Sequence, residues 1–153
     1  MKLIAHRANL NGPNPLTENS LEQIEYCIER GYDVEIDVRL NVSTGEIWLG
    51  HDEPQYNVSW TFLEKHLRNL WIHCKDIETL QEFSTYKDRY NYFWHQEDDY
   101  TLTSQNYIWT YPGKSFTKNA VIVMPELDIT IDISNLKHSS CFGICSDYVG
   151  ELK

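Results

Sequence analysis

Asp33-Val34-Glu35-Ile36-Asp37-Val38-Arg39-Leu40-Asn41-Val42-Ser43-Thr44-Gly45-Glu46-Ile47-Trp48-Leu49-Gly50-His51-Asp52 reads as two strands around a turn at Ser43–Glu46. Glu35 and Asp37 stand at i and i+2, so both carboxylates point to one face of the sheet. That is unusual placement for two charges. If Thr44-Gly45 is a two-residue hairpin loop, Ser43 pairs with Glu46, Val38 faces His51 and Asp37 faces Asp52. An imidazole would then stand beside two carboxylates, an arrangement suited to a metal or an acid/base site.

Upstream, Lys2–Ala5 reads as a short buried strand that delivers His6 and Arg7 to its carboxyl end. An Asn-, Gly- and Pro-rich loop follows, and then a helix capped by Thr17 or Asn19 that runs to about Arg30, with Gly31 as its stop. Strand, loop, helix, strand outlines a βαβ unit, which places His6, Arg7, Glu35 and Asp37 together at the carboxyl ends of parallel strands. Downstream, Trp60–Leu70 has helical apolar spacing, and residues 71–75 form a strand with His73 and Lys75 on one face. Asp76 caps a further helix ending near Lys87.

Beyond residue 89 the helical patterns stop. Residues 90–95, 107–111, 120–124 and 142–146 are strand-like, joined by polar links. With 2–7, 33–40, 46–51 and 71–75 they make eight strand candidates, as in a barrel that has lost outer helices.

The chain has 153 residues, enough for one domain with a core but short of the ~250 usual for a complete (β/α)8 barrel. Its net charge of −10 disfavours general binding to nucleic acid or an anionic membrane, so an anionic ligand needs local cations. The short apolar run at Leu3-Ile4-Ala5 is not a signal peptide, and no segment approaches the ~20 apolar residues of a membrane span. The expected location is the cytoplasm. Cys27, Cys74, Cys141 and Cys145 lack zinc-site spacing and read as buried thiols, although Cys141 and Cys145 could share a strand face.

Several residues carry candidate chemistry. Arg7 offers a planar bidentate donor for phosphate, and Lys75 at a strand end is a second candidate. Glu18-Asn19 reads equally as a helix cap or as part of a site, and Trp109 as an apolar wall for substrate or as core. His66 and His138 read as surface residues, and His95 ends a strand without an identifiable partner.

Taken in order, His6-Arg7, Glu18-Asn19-Ser20-Leu21, Gly31–Val38, Gly50-His51-Asp52 and the strand ending at Lys75 resemble the glycerophosphodiester phosphodiesterase family. That family belongs with the phosphatidylinositol phospholipase C-like phosphodiesterases, which are TIM barrels. Residues 1–75 carry nearly all of the match, with a weaker echo at Trp109-Thr110 and at Gly143–Asp147, which resembles the strand that closes those barrels. The resemblance implies an α/β fold, a reduced (β/α)8 TIM-barrel-like phosphodiesterase with several outer helices missing from its C-terminal half. It also implies roles: His6 and His51 as the acid/base pair, Glu35 and Asp37 as ligands of a divalent cation, Arg7 as a phosphate contact and Glu18 as a supporting acid. Lys75 matches the lysine two positions after the family's third metal ligand.

The departures are specific. His73 stands where the family has that third ligand, a Glu; Ala8 replaces the Gly after His-Arg; and the segment after Gly50-His51-Asp52 is shorter than the family's insertion. The resemblance implies Mg²⁺ or Ca²⁺, whereas an imidazole ligand at position 73 favours a transition metal or weakens the site. Ala8 matters only if the backbone there needs positive φ.

The expected activity is metal-dependent hydrolysis of a small glycerophosphodiester-like or phospholipid-derived substrate. The first alternative is a catalytically degenerate barrel that binds or supports. The second is an ion-pair network without a ligand. Unpaired strand edges of a truncated barrel would also suit a homo-oligomer.

Overall fold

The computed structural model describes residues 1–153 and shows a mixed α/β chain with one curled sheet and few helices. Its strands are β1 (Lys2–Ala5), β2 (Asp33–Asn41), β3 (Glu46–Leu49), β4 (Tyr56–Val58), β5 (Leu70–Cys74), β6 (Tyr92–Phe93), β7 (Tyr100–Leu102), β8 (Ile108–Thr110), β9 (Ala120–Val123) and β10 (Gly143–Ser146). The helices are α1 (Leu21–Glu29), α2 (Trp60–Lys65) and α3 (Ile77–Thr85). Parallel ladders run β6-β5-β2-β1-β10-β9-β8, while β3, β4 and β7 attach antiparallel. None of the helices is long and apolar enough to cross a membrane.

Strand alternation divides the side chains between two clusters. Val34, Ile36, Val38, Ile72, Cys74, Ile122 and Ile144 face outward and join Ile24 and Cys27 of α1, Leu63 of α2 and Phe83 of α3 in the main core. Ile4, Trp71, Phe93, Trp109, Val121, Val123 and Cys145 turn inward and form a second cluster. The sheet curls until the rings of Phe93 and Trp109 lie 4.5 Å apart, although no ladder joins β6 to β8. Across that seam Ser104 N–H donates to the Tyr92 carbonyl (2.8 Å).

The hairpin register differs from the expected one by two residues. Val38 pairs with Leu49 and Asn41 with Glu46, so β3 is a flap on β2 rather than one of the parallel strands. Asn41 makes the difference: its carbonyl accepts from Thr44 and Gly45 N–H, its side chain accepts from Ser43 N–H, and Gly45 takes φ 75°. The loop is therefore four residues long. An even shift keeps every side chain on its expected face, and Glu35 and Asp37 still point inward.

The first helix is capped by neither Thr17 nor Asn19 but by Ser20, whose side chain accepts from Gln23 N–H. This frees Asn19 for a different task. β1 pairs with β2 only at Asp33 and Val34, and β3 begins pairing at Val38, so the N–H of Asp37 falls between them. Asn19, buried and at φ 58°, fills that gap. Its Oδ1 accepts from Asp37 N–H (2.9 Å) and its Nδ2 donates to Asp37 Oδ2 (3.0 Å). Asn19→Ala leaves both groups short of a partner, and an expected loss of about 2–4 kcal/mol would appear in urea unfolding. Ser20→Ala, which removes only a cap, should cost about 1 kcal/mol.

Candidate active site

The carboxyl ends of the parallel strands surround a cavity of about 440 Å³, lined on one side by His6, Arg7, Glu35, His51, His73 and Lys75. The strand register explains the convergence. Asp37 pairs with His73 across β2 and β5, and Ala5 pairs with Ser146 across β1 and β10, so the next residues in line are His6 and Asp147.

His6 follows β1 on a one-turn 3-10 segment, His6–Ala8, in which Arg7 and Ala8 both adopt positive φ (50° and 68°). The position resembling a family glycine thus does need a left-handed backbone, and Ala8 tolerates it at a cost of roughly 1–2 kcal/mol. The turn aims Arg7 N–H at Glu35 Oε2 (3.1 Å) and sets Arg7 Nε 3.3 Å from Asp37 Oδ2. Glu18 stands behind this arrangement, 3.5 Å from Arg7 and accepting from Asn9 Nδ2 (3.1 Å).

Each candidate acid/base imidazole has a carboxylate on Nδ1. His6 Nδ1 lies 2.8 Å from Asp147 Oδ1, and His51 Nδ1 lies 2.7 Å from Asp52 Oδ1. Such contacts fix ring orientation and leave Nε2 for proton transfer. Burial pushes the His6 pKa down, but the Asp147 hydrogen bond and the Glu35 charge outweigh it and the net shift is upward. Asp147 is held below its usual range: burial opposes this, and the contact with His6 prevails.

His51 owes its place to Gly50, at φ 150°, and to Arg39, whose guanidinium donates to the carbonyls of Gly50 (3.1 Å), His51 (2.5 Å) and Asp52 (3.0 Å). A Cβ at residue 50 would sit 2.0 Å from the Glu53 carbonyl oxygen. Gly50→Ala should therefore cost about 3 kcal/mol or more and misplace His51. Gly45→Ala, with nothing within 4 Å of its Cβ, should cost only about 1 kcal/mol, and paired melting and turnover measurements would separate the two.

Asp37 is the electrostatic centre. Its Oδ1 is approached by His73 Nδ1 and Lys75 Nζ, each at 3.2 Å, yet has no well-aligned hydrogen bond. Burial alone would raise its pKa; His73, Lys75 and Arg7 together hold it well below the carboxylate range. His73 also lies 3.6 Å from Glu35 Oε1, and its Nε2 donates to the His95 carbonyl (3.1 Å). Burial lowers the His73 pKa, but Asp37 and Glu35 outweigh it and raise the value to about 9.

Donor atoms of Glu35, Asp37 and His73 all lie within 4.8 Å of one another. The under-bonded Asp37 oxygen, a second carboxylate and an imidazole fit a divalent cation, and the nitrogen donor suits a transition metal better than a hard cation.

The remaining expectations divide: those for His138 and the cysteines hold, and that for His66 does not. His66 is buried, 3.4 Å from Glu25 and edge-on to Phe62, while His138 is exposed. His95 lines the cavity, with its pKa lowered by burial and by His73. Trp109 is both core and wall, packed on Trp71 and Phe93 and facing the cavity. All four cysteines are free and buried. Asp147 was not singled out from the sequence as a site residue, and Asn19, read as a cap or as part of a site, serves the site through Asp37. The pairing of the late strand with the first was the signal for Asp147.

No family model matches the sequence, and no curated protein matches it. Among solved structures, a protein assigned as a glycerophosphodiester phosphodiesterase from Galdieria sulphuraria is similar, with 15% identity and a TM-score of 0.59. The match spans 99% of this chain and 96% of that one. A glycerophosphodiester phosphodiesterase from Thermotoga maritima matches over the same shares, with 15% identity and a TM-score of 0.51. At this identity the likeness is one of fold.

Proposed function

We propose that this protein hydrolyses phosphodiesters, on a reduced (β/α)8 barrel that residues 1–153 form as one domain. The observation that carries the reading is the pair of carboxylate-held imidazoles, His6–Asp147 and His51–Asp52, on a cavity that Glu35, His73, Arg7 and Lys75 also line, with Asp37 buried behind them. The fold likeness to glycerophosphodiester phosphodiesterases supports a glycerophosphodiester-like or phospholipid-derived substrate.

In this reading Glu35, Asp37 and His73 would hold a divalent cation, which would supply positive charge to the phosphate. Arg7 and Lys75 turn toward the same phosphate and offset the charge that develops in the transition state. One imidazole accepts the proton of the attacking water as its oxygen bonds to phosphorus. The other gives a proton to the leaving alkoxide as the ester bond breaks, so the products are an alcohol and a phosphomonoester. The reading includes a cytoplasmic location, supported by four buried free thiols.

A binding protein without turnover is the second reading, and one observation favours it. Lys75 and His73 already crowd the Asp37 oxygen that would face the cation. Release of 4-nitrophenol from bis(4-nitrophenyl) phosphate with Mg²⁺, Mn²⁺, Ca²⁺ or Zn²⁺ separates the two. Metal-stimulated turnover supports the enzyme; a folded protein that turns over no diester supports the binder.

A further inference from the structure

The side of the cavity opposite the charged cluster has a different chemistry. Trp94, Trp109, Tyr111, Val123, Met124 and Leu127 line it, and none of the cavity residues on that side is a carboxylate, ammonium or guanidinium. The apolar character continues past the rim, where Trp94 is 40% exposed, Tyr111 44%, Leu127 62% and Ile129 99%.

Trp109 and Val123 belong to β8 and β9, and Trp94, Tyr111, Met124 and Leu127 to the segments that follow β6, β8 and β9. Backbone and side-chain contacts join these segments into one wall. Thr101 Oγ1 donates to the Trp94 carbonyl (3.0 Å), Tyr111 N–H donates to the Asp99 carbonyl (2.9 Å), and a Cβ at Gly113 would lie 3.0 Å from Asp128 Oδ2. Of the thirteen exposed large hydrophobic residues in the chain, seven fall between Trp94 and Ile129. Of these, Trp94, Tyr111 and Leu127 line the cavity itself, and an exposed apolar wall on a polar pocket is stabilised by a ligand that covers it.

Resting on the phosphodiesterase reading, we infer that the substrate is amphiphilic: a phosphodiester whose phosphate meets Arg7, Lys75 and the acidic cluster while one ester arm is an apolar chain laid along the wall from Trp109 and Met124 to Trp94 and Leu127. Glu97 and Asp98, which border Trp94 on the outer rim, oppose docking on an anionic lipid surface and favour capture of single molecules with an uncharged chain. A glycerol arm would leave the apolar faces of Trp94, Trp109 and Leu127 wet.

The test uses methyl, butyl and octyl 4-nitrophenyl phosphates beside glyceryl 4-nitrophenyl phosphate. With the chain half-buried, kcat/KM should rise about twofold per methylene, on the order of a hundredfold from methyl to octyl. Trp94→Ala and Leu127→Ser should flatten that dependence. Equal rates across the alkyl series, or a preference for the glyceryl diester, would overturn the amphiphile and leave the phosphodiesterase standing. If no diester is turned over, the phosphodiesterase reading fails, and tryptophan fluorescence still decides the apolar subsite. Octyl phosphate binding tighter than methyl phosphate supports it, and equal binding overturns it.

Discussion

His6→Ala and His51→Ala are each expected to lower kcat by roughly 10²–10⁴-fold on a dialkyl phosphate, the usual contribution of one positioned proton-transfer group. The two variants should differ on a substrate with a good leaving group. A 4-nitrophenolate departs with little help from an acid, so loss of the general acid is partly hidden there and loss of the base is not. The upward shift of the His6 pKa, set by Asp147 and Glu35 against the effect of burial, keeps that imidazole protonated to higher pH and suits it to the acid role. His6→Ala should thus be far more damaging with an alkyl leaving group than with 4-nitrophenolate. His51→Ala should be damaging with both. Asp147→Asn keeps an acceptor for Nδ1–H but removes the carboxylate charge that helps to raise the His6 pKa, so the alkaline limb of the kcat/KM profile should move to lower pH. Wild-type rates in both alanine variants on an alkyl diester would remove these imidazoles from the mechanism.

How far the sequence reached follows from what each feature depends on. The alternation in Asp33–Val38 needs only the strand period, and Glu35, Asp37, His73 and Lys75 do meet on the inner face. His51 lines the cavity although the hairpin count was two residues out, because it lies beyond the end of β3, where Gly50 at φ 150° turns the chain and Arg39 holds the carbonyls of residues 50–52. The turn itself was less legible, since a four-residue loop closed by Asn41 looks locally like a shorter one. Asn19 was illegible for a different reason. Its partner is the Asp37 N–H left between the end of β1 and the start of β3, a consequence of unequal strand lengths that no local pattern records. Ala8 also shows how a fold can impose a backbone conformation on a residue that resists it. The helix-poor second half was visible as strand runs, but of its apolar wall only Trp109 was, because Trp94, Tyr111 and Leu127 are brought together only by the curl of the sheet.

His73 sets the second large effect, on metal affinity. Its Nδ1 lies between Asp37 (3.2 Å) and Glu35 (3.6 Å) while Nε2 donates to the His95 carbonyl, a geometry in which both ring nitrogens can carry protons. Protonated, His73 stands where a cation would be held, and its pKa near 9 means that metal binding at neutral pH must expel that proton. Apparent affinity for Mn²⁺ or Zn²⁺ should therefore rise about tenfold per pH unit up to about pH 9, with close to one proton released per ion. Titration calorimetry in two buffers of different ionisation enthalpy measures that proton directly. The same shift acts on the metal-free fold. A pKa raised from 6.5 to about 9 contributes stability that is fully present below about pH 6.5 and is lost as pH rises through 9, on the order of 3 kcal/mol. His73→Glu reverses each term. It should raise Mg²⁺ affinity about 10–100-fold, abolish the pH dependence of binding between pH 7 and 9, and destabilise the metal-free protein by setting a third carboxylate against Glu35 and Asp37. Metal binding by the wild type that is independent of pH, with no proton released, would mean that His73 is not a ligand and that the cation, if bound, rests on the two carboxylates alone.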